Sequence, residues 1–166
     1  MSAAGALAAQ TTEARGRIVI RFTSSEEDIA ARVAMIRRVY EEFDDGLPYD
    51  ESMVRRFYER RVAKPDHCVL HAELDGKMIG GLTGVVARHF HSPALAASVV
   101  GFYVAPEHRG SVAVVKLLHG FRRWACTNGA VRMYLSVTSG IGIARTDRML
   151  KRLGFRPKGG NYELAL

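Results

Sequence analysis

The chain lacks most of the features that would set it apart from ordinary globular proteins. Of 166 residues only two are cysteine, Cys68 and Cys126. They stand far apart, without the close spacing of zinc ligands or the dense spacing of a disulfide framework. They read as two reduced, mostly buried thiols of a cytoplasmic protein. A nucleophilic cysteine needs a histidine beside it, and strand alternation puts His67 and His71 on the face opposite Cys68. The same pair is too widely spaced on a strand to share a metal ion. His89 and His91 have no third ligand, so no metal is expected. No apolar run approaches the roughly 18–20 residues of a membrane span. The opening MSAAGALAAQTTEARG has no basic start and only a weak apolar stretch, which argues against a secretory signal. Positions 1–16 read as a small-residue tail, and 17–166 as one domain. There is no internal repeat.

Acidic residues are in deficit. Seventeen Asp and Glu face 24 Lys and Arg, a formal charge of +7. That balance favours a polyanionic partner: a phosphate-bearing cofactor, a nucleic acid, or neither if the charge serves solubility. The basic pairs (Arg37/Arg38, Arg55/Arg56, Arg60/Arg61, Arg122/Arg123) are spread over helical stretches, where a solvated face is the ordinary fate. No RNA-recognition aromatics or helix-turn-helix pattern accompany them.

What is present is a regular alternation of strand and helix signals. RIVIRF alternates as a strand, and Ser24 or Ser25 caps a helix with Glu26, Glu27 and Asp28 in its first turn. Ile29, Val33, Ile36, Tyr40 and Phe43 form its core stripe, and Gly46 and Pro48 break it. A second helix spans about Glu51 to Val62. HCVLHAEL and KMIGGLTGVVARHF make a hairpin around Asp75-Gly76. Gly80-Gly81 within it marks a bulge or a close backbone approach. After the central helix, VRMYLSV is a strand, ARTDRMLKRLGF a short helix closed by Gly154, and the tail a final strand or hairpin. The order is β α α β β β α β α β, an α/β domain on a twisted sheet.

The most informative stretch runs from Val99 to Leu118. An apolar strand ends at Pro106, a polar turn with Gly110 follows, and a helix begins near Val112. The first amides of a helix lack internal partners and carry the positive end of its dipole, so this junction suits a phosphate. Arg109 adds a formal charge there.

This order, with VAPEHRG before the central helix and LKRLGF near the end, resembles the GNAT acyl-CoA N-acetyltransferase family over 17–166. The resemblance implies a mixed twisted sheet of about six to seven strands with about four helices. It implies acetyl-CoA as co-substrate, its diphosphate on the loop before the central helix. There Arg109 and Gly110 match the family pattern, while Val112 and Val114 replace its two small residues. By position, the amides of Ser111, Val112, Ala113 and Val114 would hold the diphosphate, with Arg109 assisting. Backbone groups of Phe102 and Val104 would pair with the pantetheine arm as an added strand.

The reaction implied is acyl transfer to an amine, which must be neutral to attack. The family's usual tyrosine acid falls here at Leu150. Glu107 is then the first candidate base, through water, with Tyr103 and Tyr162 as further candidates; first-turn acid and core packing are the plainer readings of Glu107 and Tyr103. The acidic loop EEFDDGLPYDE, with Glu42 and Asp45, would face a cationic amine, or is simply a solvated loop. The acceptor would be a small molecule or a protein lysine, and the alternatives are an aminoacyl-tRNA or ribosomal substrate and a non-catalytic acyl-CoA-binding module. Homodimers are common in the family.

Overall fold

The computed structural model describes residues 16–43 and 46–161. The expected tail, Asp45 and Tyr162 lie outside them, Gly16 excepted. Strand β1 is Val19–Phe22; helix α1 is Glu26–Phe43 and α2 is Glu51–Val62. Then follow β2 (His67–Leu74), β3 (Lys77–Arg88), β4 (Leu95–Val104), a 3-10 turn at Pro106–His108, and α3 (Ala113–Thr127). β5 (Ala130–Tyr134) and α4 (Ile143–Arg152) complete the order. No described helix is long and apolar enough to cross a membrane.

The five strands lie in chain order, antiparallel from β1 to β4, with β5 parallel to β4. Five is fewer than the six or seven expected. The expected final strand does not form in 155–161, the described part of the tail. Pro157 has no N–H for a ladder, and Gly159 sits at φ +128°, outside extended geometry.

The helix ends follow local chemistry. Ser25 and Asp28 form a reciprocal cap: the Asp28 amide donates to Ser25 Oγ, and the Ser25 amide donates to Asp28 Oδ2. Asp50 caps α2 by accepting from the Met53 amide. Gly154, at φ +88°, closes α4.

Helices cover both faces of the sheet. α3 packs Leu117, Leu118, Phe121 and Ala125 on Cys68, Leu70, Leu82, Val86 and Ala97. Each large buried side chain there contributes about 1.5–3 kcal/mol. Cys68 is fully buried, which pushes its thiol up to about 12. Cys126, by contrast, is exposed. The expectation of two buried thiols fails because the stripe at 117, 118, 121 and 125 faces the sheet and turns 126 outward.

On the other face α1 and α2 pack Ile29, Val33 and Tyr58 over Val69. The Gly80-Gly81 close approach is real. A Cβ on Gly81 would collide with the guanidinium of Arg32, which is buried, donates to Thr83 Oγ1 and lies over the Tyr58 ring. The β2–β3 register shift falls beside it, opposite Ala72/Glu73. A second shift lies further along β3. Thr83 pairs with Gly101 and Gly84 with Val99, so Val100 is an extra, bulged residue of β4.

Candidate active site

Beyond that bulge β4 has only one partner. β5 pairs with it from Leu95 to Ser98, the last pair being Ser98 with Tyr134, while β3 follows it to Val104. Val99–Val104 therefore bounds an open fork. At about 3.3 Å per residue the free edge is about 17–20 Å long. The Ala105 amide donates to Ile79 O on β3, whereas Val104 O accepts from Arg109 Nε at 2.9 Å. Alternation then turns the peptide groups of Val104 and Phe102 toward the open edge. The Phe102 and Val104 side chains join the core.

At its C-terminal end this edge meets the start of α3. Gly110 adopts φ +107°, a conformation that favours glycine. A Cβ there would also lie 2.9 Å from Arg145 Nη2, so α4 brings a second guanidinium onto the loop. The Ala113 amide donates to Ser111 Oγ, and the Ser111 amide to His108 O. Among the described residues the Val114 amide meets no backbone acceptor outside the helix. Val112 is 57% exposed. Val100, Ile141 and Ile143 are exposed apolar residues on the elements around the fork.

Arg109 does not face this loop. Its Nη1 and Nη2 donate to the two oxygens of Glu42, at 2.5 and 2.7 Å, while its Nε holds Val104 O. Tyr103 donates to the same carboxylate at 3.0 Å. Arg109, and then Tyr103, hold the Glu42 carboxyl below its usual range. Burial, and then the bond to Glu42, push the Tyr103 phenol up. Glu107 is gripped by Arg38 of α1, whose Nη2 lies 3.0 Å from both carboxylate oxygens. Its own backbone amide, and then Arg38, lower the Glu107 pKa. Arg38 and Glu42, one helical turn apart, thus meet Glu107 and Arg109 as a crossed pair of opposite charges. These partners sit 67 and 69 residues away in sequence, so no local pattern announces them.

Two further acids of this segment are engaged. Asp50 caps α2 and Glu51 pairs with Arg37 at 3.0 Å. Between α1 and α2 lies a groove of about 330 Å³ lined by apolar residues such as Val39, Phe43, Leu47 and Met53. Leu150, at the place of the family's tyrosine, packs against the core.

One cluster has metal-ligand composition: Asp28, His71 and Glu73 bring their ligand atoms within 4.8 Å of one another. Arg21 already pairs with both carboxylates there. His71 is fully buried, its Nδ1 3.0 Å from Thr23 Oγ1 and its Nε2 3.1 Å from Glu73 Oε1. Guanidinium and imidazole together satisfy these acids.

The family model for GNAT acetyltransferases matches residues 34–155. The chain belongs to the GNAT acetyltransferase family. No curated protein matches it. Among solved structures it is similar to a transcriptional regulator from Bacillus halodurans C-125, at 17% identity and TM-score 0.73, covering 90% of this chain and 100% of that one. It is also similar to an aminoglycoside N-acetyltransferase in complex with CoA, at 13% identity and TM-score 0.72, covering 91% and 95%. An aminoglycoside acetyltransferase from an uncultured soil metagenomic sample, in complex with sisomicin, matches at 16% identity and TM-score 0.68, covering 90% and 96%. At these identities the likeness is one of fold. This GNAT chain has its strands in chain order, with a bulge in β4 at Val100.

Tyr134 and Arg145 border this candidate site and were not singled out from the sequence. Tyr134 ends β5 at the fork, and Arg145 lies on the glycine of the loop. Only the basic start of α4 hinted at Arg145. Nothing in VRMYLSV marked where β5 would part from β4.

Proposed function

We propose that this GNAT protein moves an acetyl group from acetyl-CoA to a primary amine by direct transfer, with both substrates bound at once. The observation that carries the proposal is the one-sided edge of β4, leading from the start of α3 to the fork. The residues present fit such a ligand. Amides from Ser111 to Val114, with Ala113 between, would receive the diphosphate, with Gly110 leaving room and Arg145 adding charge. The peptide groups of Phe102 and Val104 would pair with the amides of the pantetheine arm. The exposed Val100, Ile141 and Ile143 would be covered by it. Arg109 would reach the diphosphate only by letting go of Glu42, and Glu42 would then be free for a cationic amine.

An arm running in this direction ends near Val99 and Val100. Backbone amides there would polarise the thioester carbonyl as charge develops on its oxygen. Glu107, beyond the other end of β4, would stand on the diphosphate side. The acceptor would approach across the α1–α2 face.

Titration calorimetry with acetyl-CoA tests the site directly, and saturable binding is the expected result. Thiol release with sisomicin, spermidine and a lysine-bearing peptide then tests transfer. Absence of acetyl-CoA binding refutes the proposal. Binding without turnover on any amine would leave an acyl-CoA-binding module instead.

A further inference from the structure

The positive charge of the chain is unevenly spread. Residues 108–162 hold 11 of the 24 Lys and Arg but only one of the 17 Asp and Glu. The rest of the chain carries more acids than cations. That one acid, Asp147, is taken by Lys151 of its own helix at 2.7 Å. Most of the cations lie on α3 and α4. Both helices pack on one core cluster, α3 through Leu117, Leu118 and Phe121, α4 through Met149, Leu150 and Leu153. Arg122 and Arg123 of α3 and Arg148 and Arg152 of α4 are exposed, and none makes an ion pair among the described residues. Arg156 and Lys158 follow α4 and are also exposed and unpaired there. Elsewhere Arg21, Arg37, Arg38 and Arg55 each meet a carboxylate. Soluble surfaces mix the two signs, because a surface of one sign repels itself.

Acetyl-CoA does not account for these charges. Arg122 and Arg123 stand at least about 13 Å along the axis of α3 from the amides that would receive the diphosphate. Arg152 lies about 10 Å along α4 beyond Arg145. A lipid surface fits no better. From 116 to 127 and from 145 to 152 no large apolar side chain is exposed, so the apolar anchors of a membrane-bound helix are missing.

We infer that the outer faces of α3 and α4 form a nucleic-acid-binding surface that grips the phosphate backbone. A guanidinium forks onto two phosphate oxygens, and arginines on two neighbouring helices offer several such forks. Contacts of this kind set affinity and orientation and carry no sequence preference. The surface is separate from the acetyl-CoA site, so the two ligands bind together.

Fluorescence anisotropy with labelled single-stranded RNA, duplex RNA and duplex DNA of arbitrary sequence tests this on the full chain. At least one should bind, with an affinity that falls about 10-fold or more between roughly 50 and 200 mM salt. Arg122→Glu/Arg123→Glu and Arg148→Glu/Arg152→Glu should each weaken binding by about 10-fold or more, with acetyl-CoA affinity held within about 2-fold. Arg56→Glu/Arg60→Glu on α2 makes the same change of charge and should weaken it by less than about 3-fold. All six positions are exposed, so the variants should keep the parent melting temperature. Saturating acetyl-CoA should leave the nucleic acid bound. Absence of binding to all three probes at about 50 mM salt would overturn the inference. So would an equal loss in the α2 variant, displacement by acetyl-CoA, or binding to phosphatidylserine vesicles in place of nucleic acid. The acetyltransferase proposal stands or falls separately, on acetyl-CoA binding and amine turnover.

Discussion

The two ends of β4 treat polar groups in opposite ways. At the C-terminal end the charged groups that meet α1 are paired: Arg38 with Glu107, Glu42 with Arg109, and Tyr103 on Glu42. Along the fork, from Val99 on, one edge of β4 has no strand partner. The contrast separates holding from reacting. Interlocked charges fix the loop before α3 against α1 and have little freedom to take or give protons. A strand edge left without a partner is available to a ligand.

The first way to break the comparison is to close the fork from below. A Cβ on Gly84 would lie 2.3 Å from the Phe121 ring and 2.9 Å from Ser98 O. Gly84→Ala should therefore cost about 3 kcal/mol in urea unfolding, the upper range for overpacking. It should also weaken acetyl-CoA binding, because Ser98 and Val99 must shift. A change under about 0.5 kcal/mol would show that the fork is looser than its packing implies.

The interlocked end should respond less. Glu42→Gln or Arg109→Leu should each cost about 1–2 kcal/mol, since the pair is only partly buried. A double-mutant cycle should show that most of this is coupling between the two. The sign with pH follows from the lowered Glu42 pKa. Its contribution is complete above the ordinary glutamate value of about 4.3 and fades as pH falls through the lower folded value. Additive single effects would dissolve the idea of a staple.

His71 offers a third, smaller effect, away from both ends. Burial lowers its pKa, while Asp28 and Glu73 pull the other way without overcoming it. The unfolded chain therefore binds the proton first. Stability is complete above about pH 6.5 and declines as pH falls toward the folded value. His71→Gln should flatten the melting temperature between pH 7 and about 5.5 relative to the parent. A parallel decline in both proteins would clear His71 of that role.

The smallest effect belongs to Glu107. Glu107→Gln should leave the kcat–pH profile unchanged, because Arg38 already holds that carboxylate ionised. Loss of the acidic limb would return the base role to Glu107 and place chemistry at the interlocked end.

Much of the fold was legible locally. α2 begins and ends at the expected Glu51 and Val62, because Asp50 caps it and Gly46 and Pro48 precede it. The Asp75-Gly76 hairpin formed, with both residues at positive φ. The turn before α3 formed where it was expected, with Gly110 at φ +107°. The partners of Arg109 and Glu107 were not legible, since they come from α1 across the fold. The bulge was expected near Gly80-Gly81, and a register shift does fall there. The one that shapes the site lies at Val100, where nothing but the competing ladders of β3 and β5 decides it.

By itself the sequence determined the order of elements from β1 to α4, the face that α3 buries and the glycine turn before it. Those depend on periodicity and on residues within a few positions of one another. Only the tertiary structure decided which charges are spent and which are free. Arg109, Glu107 and Tyr103 look available along the chain and are bound in the fold. Availability is set by contacts between distant segments, and a linear pattern carries no record of those distances.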